Sequence, residues 1–416
     1  MTDNKAAADN RIPQFHVMVK PFGSTCNLDC SYCYYLSKEN FIYDKPGKIS
    51  DVVLERFIKQ YIEGHGAGNV IFSWQGGEPT LLGIDFFKKV LMYQEKWSNP
   101  NIKCDNDLQT NGTLINDDWC KFLKENNFLV GLSIDGPEHL HDYYRCYSND
   151  EGSFDKVMNA ANLLNKYGVE FNTLTTINRE NAKHPLAVYR FLRDKVKSKR
   201  MQFIPVANPN NFTNKAAQYL NEELPLMGSK QAKPGYDNSI ATDWSVDPDE
   251  FGNFLCRIFD EWYKHDIGKT WIYTFESAVY TAIGMESPVC VFKPDCPFCL
   301  VMEHDGSLFS CDHYVYPEYK LGNIMENHLT RYVYSLPQLN FSSKKRNSLT
   351  NYCKQCPVLE YCNGECPKNR FISSPDGEPG HNYLCSGYRK FFEYVKPRIQ
   401  LLAEDVKKNL KLYSLY

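Results

Sequence analysis

Three cysteines, Cys26, Cys30 and Cys33, stand in the run Cys26-Asn-Leu-Asp-Cys30-Ser-Tyr-Cys33, whose CxxxCxxC spacing puts three thiolates on one short loop. A [4Fe–4S] cubane has four irons and normally takes four cysteines, so three ligands leave one iron open to a substrate or cofactor. A zinc knuckle usually shows CxxC pairs that close into a set of four, and here the fourth ligand is missing. A second crowd of cysteines lies far downstream: Cys290, Cys296, Cys299 and Cys311, then Cys353, Cys356, Cys362, Cys366 and Cys385. Without a secretory signal, clustered cysteines more often bind metal than form disulfides. Paired zinc ribbons are the alternative for the downstream group. Reduced thiolates of this kind imply a cytoplasmic protein working under reducing conditions.

Ordered elements must carry these groups. Short apolar runs at 15–19, 70–74, 128–134, 170–175 and 201–206, with a more polar one at 107–110, read as strands. Amphipathic segments at 50–62, 85–96, 116–126, 153–167 and 184–196 lie between them, and Ser50 and Ser153 sit where N-caps would stand. Alternating β and α elements predict parallel strands covered by helices. Roughly six such units are too few for a closed eight-stranded barrel. Functional residues then belong at the C-terminal ends of strands, and Cys26 directly follows the first. Residues 14–247 form this α/β unit, with a long insertion or lid-like loop at 208–247. A helical linker over 248–278, a cysteine-rich domain over 279–390 and a closing C-terminal helix over 391–416 complete the expected order. Residues 1–13 read as a tail.

Bulk properties exclude several partners. With 416 residues, 43% hydrophobic content and a formal charge of −3, the chain has no basic excess that would point to nucleic acid. No apolar run is long enough to span a bilayer, and the polar stretch Met1 to Arg11 reads as neither signal peptide nor anchor.

Further motifs follow at the expected strand ends. Gln75-Gly76-Gly77-Glu78-Pro79 joins two glycines, which let backbone approach a ligand, to a carboxylate able to take a cationic group. Gln109-Thr110-Asn111-Gly112-Thr113 offers amides and hydroxyls to ribose hydroxyls. Ser133 closes the fourth strand, and Arg145 follows Asp135 by ten residues. Each has a bland reading: a turn, a surface arginine, core packing for Met201. Together with the cysteine trio and Tyr32 before its last member, these motifs resemble the radical S-adenosylmethionine enzymes. The resemblance implies an open partial (β/α)6 barrel. It implies that the methionine part of S-adenosylmethionine chelates the open iron, and that a 5′-deoxyadenosyl radical takes a hydrogen atom from the substrate. Tyr32, Gly76, Gly77, Glu78, Ser133, Arg145 and Met201 are then cofactor-binding. Glu78 meets the amino group, Ser133 and Arg145 the carboxylate, and Met201 the adenine.

The block Cys353-x2-Cys356-x5-Cys362-x3-Cys366 with a distant cysteine resembles the SPASM domain, which carries auxiliary [4Fe–4S] clusters. Carried over, Cys290, Cys296, Cys311 and Cys366 ligate one auxiliary cluster, and Cys353, Cys356, Cys362 and Cys385 the other. Cys299 competes with Cys296 on proximity. The family spacing of fifteen positions to the ligand equivalent to Cys311 favours Cys296. Three [4Fe–4S] clusters thus use eleven cysteines and leave Cys104, Cys120, Cys146, Cys256 and Cys299 to packing or to no role.

A narrower likeness covers about residues 14 to 395. Val17-Met-Val-Lys-Pro21, Trp74-Gln-Gly-Gly-Glu-Pro-Thr80, Ser310-Cys-Asp-His-Tyr314, Leu321-Gly-Asn-Ile324 and Cys362-Asn-Gly-Glu-Cys-Pro-Lys-Asn-Arg370 resemble anaerobic sulfatase-maturating enzymes. Those oxidoreductases convert a sulfatase cysteine or serine to Cα-formylglycine. The likeness implies Asp312 as the catalytic base and Gln75 and Tyr35 as substrate contacts, though either contact residue also has a structural reading. It implies a sulfatase polypeptide carrying a Cys/Ser-x-Pro/Ala-x-Arg motif as substrate, and an electron donor such as flavodoxin or ferredoxin. Another radical SPASM enzyme acting on a ribosomal peptide, or a non-catalytic zinc or iron–sulfur scaffold, would share many of these residues.

Overall fold

The computed structural model describes residues 15–38, 42, 47–213 and 223–408, so the expected N-terminal tail and the last part of the closing helix lie outside the described residues. Strands and helices alternate as β1 (His16–Lys20), α1 (Asp51–His65), β2 (Gly68–Trp74), α2 (Ile84–Trp97), β3 (Ile102–Thr110), α3 (Asp117–Glu125), β4 (Leu129–Ser133), α4 (Phe154–Tyr167), β5 (Phe171–Ile177), α5 (Pro185–Arg190) and β6 (Arg200–Pro205). The six strands pair in parallel and in chain order, the open half-barrel topology expected of repeated β/α units. Val17, Val19, Val70, Phe72, Trp74, Leu108, Val130 and Leu132 are fully buried along the strands, and Leu54, Phe57, Ile58 and Tyr61 of α1 pack in the same core. Each such large apolar side chain contributes about 1.5–3 kcal/mol relative to exposure.

Caps set several helix starts. Ser50 Oγ accepts from Val53 N at 3.3 Å, and Asn116 Oδ1 from Trp119 N at 3.0 Å. Ser153 is not a side-chain cap: its backbone is already helical, and its hydroxyl donates to Arg145 O at 2.7 Å. Asp142 Oδ1 takes the Ser153 and Phe154 amides instead, at 2.8 and 2.9 Å. The expected helix over 184–196 divides into α5 and a π-helical turn over Phe191–Lys195.

Beyond β6 the chain forms α6 (Pro248–His265), β7 (Trp271–Ile272), α7 (Tyr273–Ala282), β8 (Cys299–Glu303), β9 (Ser307–Phe309), β10 (Lys320–Asn323), α8 (Leu336–Asn347) and α9 (Cys385–Lys408). The two-residue β7 falls in the segment expected to be a purely helical linker and pairs with β6. β8 crosses to the opposite edge and pairs in parallel with β1, and β9 and β10 continue antiparallel, so one sheet runs in the order β10-β9-β8-β1-β2-β3-β4-β5-β6-β7. The cysteine-rich region therefore adds three strands to this sheet, while Ile372–Ser373 and Pro379–His381 pair as a small sheet of their own. Helix α9 begins at Cys385, six residues before the expected start, and packs on α6 and α7. At the crossing with α6 a Cβ on Gly387 would meet Pro248 O at 2.1 Å, so only glycine permits the approach.

The described part of 208–247 is pinned at both ends rather than loose. Asn208 Nδ2 donates to Tyr32 O at 3.3 Å, Tyr316 Oη to Phe212 O at 2.8 Å, and Met227 N to Ser373 O at 2.8 Å. At the N-terminal edge of β5, β6 and β7, away from the cysteine loop, a cavity of about 510 Å³ is bordered by Glu170, Lys199, Arg200, Trp271 and Glu276. Glu276 of α7 is buried, and burial alone pushes its carboxyl from 4.5 up to about 7. A raised carboxyl favours the protonated fold. Its contribution is full below pH 4.5 and is lost as pH rises towards 7. Glu276→Gln should therefore be more stable than the parent above pH 7, by at most about 3 kcal/mol, and equal to it near pH 4. Paired unfolding curves across that pH range check this, and a constant difference would mean that Glu276 does not titrate in the window.

Candidate active site

The cysteine loop leaves β1 and is clamped by the ends of neighbouring strands. Gly77 N donates to Gly23 O and Glu78 N to Thr25 O, both at 2.8 Å, which fixes the segment after β2 against the loop backbone. A Cβ on Gly77 would lie 2.0 Å from Thr25 O, so the loop can approach only because this residue is glycine. From the end of β3, Asn111 Nδ2 donates to Cys26 Sγ at 3.8 Å and Asn27 Oδ1 at 2.9 Å, and Asn27 Nδ2 donates to Thr113 Oγ1 at 2.9 Å. Asp29 N and Ser31 N bond to Cys146 O and Tyr144 O beyond β4. Burial pushes the Cys26 thiol up to about 11 and the Cys30 thiol to about 12; Cys26 also faces Cys33, and Cys30 faces both Cys33 and Cys26. Cationic irons would reverse that preference and take thiolates.

Glu78 is fully buried at the centre of this clamp. Its Oε1 accepts from Thr80 N (3.0 Å), Thr80 Oγ1 (2.5 Å) and Thr110 Oγ1 (2.8 Å), and its Oε2 accepts only from Asn111 N (2.6 Å). The carboxylate thus ties β2 to β3, with acceptor capacity remaining on Oε2. Tyr32 Oη donates to Asp135 Oδ2 and accepts from Arg145 Nη1 at 3.1 Å. Arg145 is 7% exposed, and its Nε has no hydrogen-bond partner. A buried guanidinium with a free N–H is a ready carboxylate site. Ser133 Oγ accepts from Gln109 Nε2 at 3.0 Å. Met201 is placed differently from the rest. It is fully buried at the start of β6, four residues before Pro205 and so about 13 Å from the strand's C-terminal end. The adenine contact implied for it does not fit that position, where it packs as core.

Asp312 follows Cys311 and reaches the loop from the other side. Lys20 Nζ lies 2.7 Å from its Oδ1, and Tyr34 Oη donates to its Oδ2. Burial is the largest influence and opposes ionisation of this carboxyl, but Lys20, His313 and the Tyr34 hydroxyl together outweigh it and hold Asp312 below the usual range. Oδ1 accepts no well-aligned hydrogen bond, and the side chain keeps 17% exposure. Tyr35 is buried, donates to Glu303 Oε1, and lies with its ring 4.4 Å from Lys20 Nζ. Gln75 is half-buried directly after β2.

The downstream thiols gather in two groups. Cys311 and Cys366 face each other and Cys296, and Cys296 faces Cys290. Cys385 faces Cys362, Cys353 and Cys356. Cys299 stands beside Cys290 and Cys296 as a fifth thiol of the first group. Among the described residues no three Cys, His, Asp or Glu side chains converge tightly enough to chelate one metal ion. Cys353, Cys356, Cys362 and Cys385 of the second group line one small cavity.

Comparison with known proteins agrees with this geometry. Residues 21–192 match the radical SAM superfamily, and residues 296–357 match an iron–sulfur cluster-binding (SPASM) domain. A serine-type anaerobic sulfatase-maturating enzyme of Bacteroides thetaiotaomicron is 43% identical over 94% of this chain and 92% of its own length. The chain belongs to the anaerobic sulfatase-maturating enzymes. A cysteine-type member from Clostridium perfringens is 34% identical over 95% of this chain and all of its own length. The solved structure of native anSMEcpe with bound AdoMet superposes with a TM-score of 0.80 at 35% identity, covering 94% of this chain and 100% of that one. Three [4Fe–4S] clusters and S-adenosylmethionine are the cofactors of this family architecture, and the thiol groups and the unpartnered Arg145 donor fit them.

Lys20, Tyr34 and Glu303 are site residues that the motifs did not announce. Lys20 had one visible signal: a lysine at the end of the apolar run that leads into the cysteine loop. Its ion-pair partner Asp312 carries a motif of its own, but the two lie nearly three hundred residues apart and no local pattern joins them. Gly77→Ala should displace the cysteine loop and lower iron by about four atoms from a full complement of about twelve. Full iron after anaerobic reconstitution, measured by iron and sulfide assay, would show that the loop accommodates the methyl group.

Proposed function

We propose that this chain oxidises an active-site cysteine or serine of a sulfatase to Cα-formylglycine, with Asp312 as the base. The carrying observation is a carboxylate next to the thiol of Cys311, held by Lys20 and Tyr34 on the same side as the cysteine loop. The names of the relatives from Bacteroides, Klebsiella and Clostridium support the reaction class. In this reading Cys26, Cys30 and Cys33 hold the open-iron cluster. Cys290, Cys296, Cys311 and Cys366 hold one auxiliary cluster, and Cys353, Cys356, Cys362 and Cys385 the other. Residues 14–247 act as the catalytic barrel and 279–390 as the auxiliary-cluster domain, joined by 248–278 and closed by 391–416.

When bound, the open-iron cluster and S-adenosylmethionine supply one-electron cleavage to a 5′-deoxyadenosyl radical that removes hydrogen from the substrate Cβ. The protein's task is to place both partners. Arg145 offers Nε–H to the cofactor carboxylate, with Ser133 nearby, and Tyr32 and Asp135 fix the guanidinium from behind. Glu78 Oε2 and the Gly76-Gly77 backbone receive the amino group. Gln75 and Tyr35 line the approach of the substrate peptide. Asp312, kept ionised by Lys20, accepts the proton of the substrate thiol or hydroxyl. One hydrogen atom, one proton and one electron thus leave the substrate, a two-electron oxidation that takes serine to the aldehyde directly and cysteine to a thioaldehyde, which water converts to the aldehyde with release of sulfide. The substrate is a sulfatase segment with a Cys/Ser-x-Pro/Ala-x-Arg motif, and a flavodoxin- or ferredoxin-like protein supplies reducing electrons. The reading calls for a cytoplasmic enzyme with no nucleic-acid or membrane partner. Among the described residues no helix is long and apolar enough to cross a membrane.

Asp312→Asn should keep its iron and some cofactor cleavage, while formylglycine formation on a motif peptide falls by about 10²- to 10⁴-fold. Deoxyadenosine would then accumulate without matching aldehyde, both read by mass spectrometry. An unchanged aldehyde yield would place the base elsewhere, and lost iron would make Asp312 a support for the Cys311 loop.

A further inference from the structure

The run from Cys362 to Arg370 ends in an arginine for which the reaction above has no use. Arg370 is 6% exposed. Its Nε donates to Gly364 O at 3.2 Å, and its Nη1 donates to Lys345 O at 2.7 Å and Ser348 Oγ at 2.9 Å. None of these acceptors is charged, and Nη2 is buried with no hydrogen-bond partner. A buried guanidinium ordinarily requires an anion. Its surroundings say which anion is meant. Burial raises the Cys296 and Cys353 thiols, and Arg370 acts against that rise at both, so its charge reaches one thiol of each downstream group. Gly364, which accepts from Nε, lies between Cys362 of one group and Cys366 of the other. Lys345, whose carbonyl accepts from Nη1, is buried too and donates Nζ to Cys290 O at 3.0 Å and Val291 O at 2.8 Å. The guanidinium is therefore wired by hydrogen bonds into the ligand loops of both groups.

We propose that Arg370 sets the reduction potential of the two auxiliary clusters, through a fixed positive charge held against Gly364 between their ligand loops. Reduction adds an electron to a site already carrying four thiolates, and a cation held in a low-dielectric interior favours that reduced form. Hydrogen bonds towards sulfur act in the same direction. Such a bias keeps the C-terminal clusters ready to accept the electron that leaves the substrate. Arg370 touches neither substrate nor S-adenosylmethionine and is a positioning residue. The proposal rests on the ligand sets given above, and iron content separates a failure of those sets from a failure of the role.

The test is potentiometry followed by electron paramagnetic resonance, in full-length protein carrying Cys26→Ala, Cys30→Ala and Cys33→Ala so that only auxiliary clusters contribute. That background should hold about eight irons; fewer would indict the ligand sets rather than Arg370. Arg370→Gln is expected to retain those irons and to lower the reduced-to-oxidised ratio of at least one cluster tenfold at fixed potential, about 59 mV for a one-electron couple. Arg370→Lys, which keeps the charge but not the Nη2 donor, should fall between. Unchanged midpoints in Arg370→Gln would overturn the proposal. Should that variant lose iron, Arg370→Lys decides. A shifted midpoint supports the role, whereas an unchanged midpoint or lost iron reduces Arg370 to a clasp between ligand loops.

Discussion

Five residues of parallel pairing, His16 to Lys20 against Cys299 to Glu303, bring the two halves of this chain's chemistry together. Along β1 the side chains alternate. Val17 and Val19 enter the helix-covered core, while Met18 packs with Tyr35, Val301, Phe309 and Val315 on the other face. Lys20 shares that second face and lies opposite Glu303 in the ladder. A slip of one residue would turn Lys20 into the apolar layer and separate it from Asp312. The cysteine loop begins where β1 ends, and the Cys311-Asp312 turn follows the β8–β9 hairpin, so this register decides whether the loop and Asp312 share one site.

The cluster around that ladder is not there for stability. Lys20 and Glu303 are essentially inaccessible, and Asp312, Tyr34 and Tyr35 complete a network of charge and hydroxyl groups. Replacing such a buried network by well-packed apolar residues is often neutral or stabilising, whereas removing one member costs about 3–5 kcal/mol. A fold that needed only cohesion between β1 and β8 would do as well with valines. Retaining an ammonium against a carboxylate here makes sense when the carboxylate must stay ionised beside a reacting group.

Most of the half-barrel could be read from the chain, because each β/α unit writes its own pattern: short runs for β1 to β6, apolar except at β3, periodic faces for α1 to α4, and a cap at Ser50. What escaped lay in long-range pairing. β7 is two residues long, too short for a period to register, and the union of β8 with β1 joins segments almost three hundred residues apart. Ser153 looked like a cap, but Asp142 outcompetes it for the first-turn amides. In the site, local motifs revealed the residues and not their work. Glu78 reads as a free carboxylate in Gly-Gly-Glu-Pro, yet three of its four hydrogen bonds go to one oxygen and bind strand to strand. Met201 sat in a run of the right kind at the wrong end of its strand.

Two arginines, at opposite ends of the chain's chemistry, share one property. Arg145 and Arg370 are both buried, and each keeps one guanidinium nitrogen, Nε of Arg145 and Nη2 of Arg370, without a partner among the described residues. An unsatisfied buried donor costs about 1–3 kcal/mol, more when charged, so two of them weigh visibly on a protein of ordinary marginal stability. Each stands beside thiols: Arg145 near Cys26 and Cys30, Arg370 near Cys296 and Cys353. Anionic groups settling at these places would satisfy the free donors, and by linkage their binding free energy adds to folding. The protein chain alone thus holds cationic sockets that its cofactors complete. The same two guanidinium groups that the fold buries beside thiols are thereby the groups that can bind its cofactors.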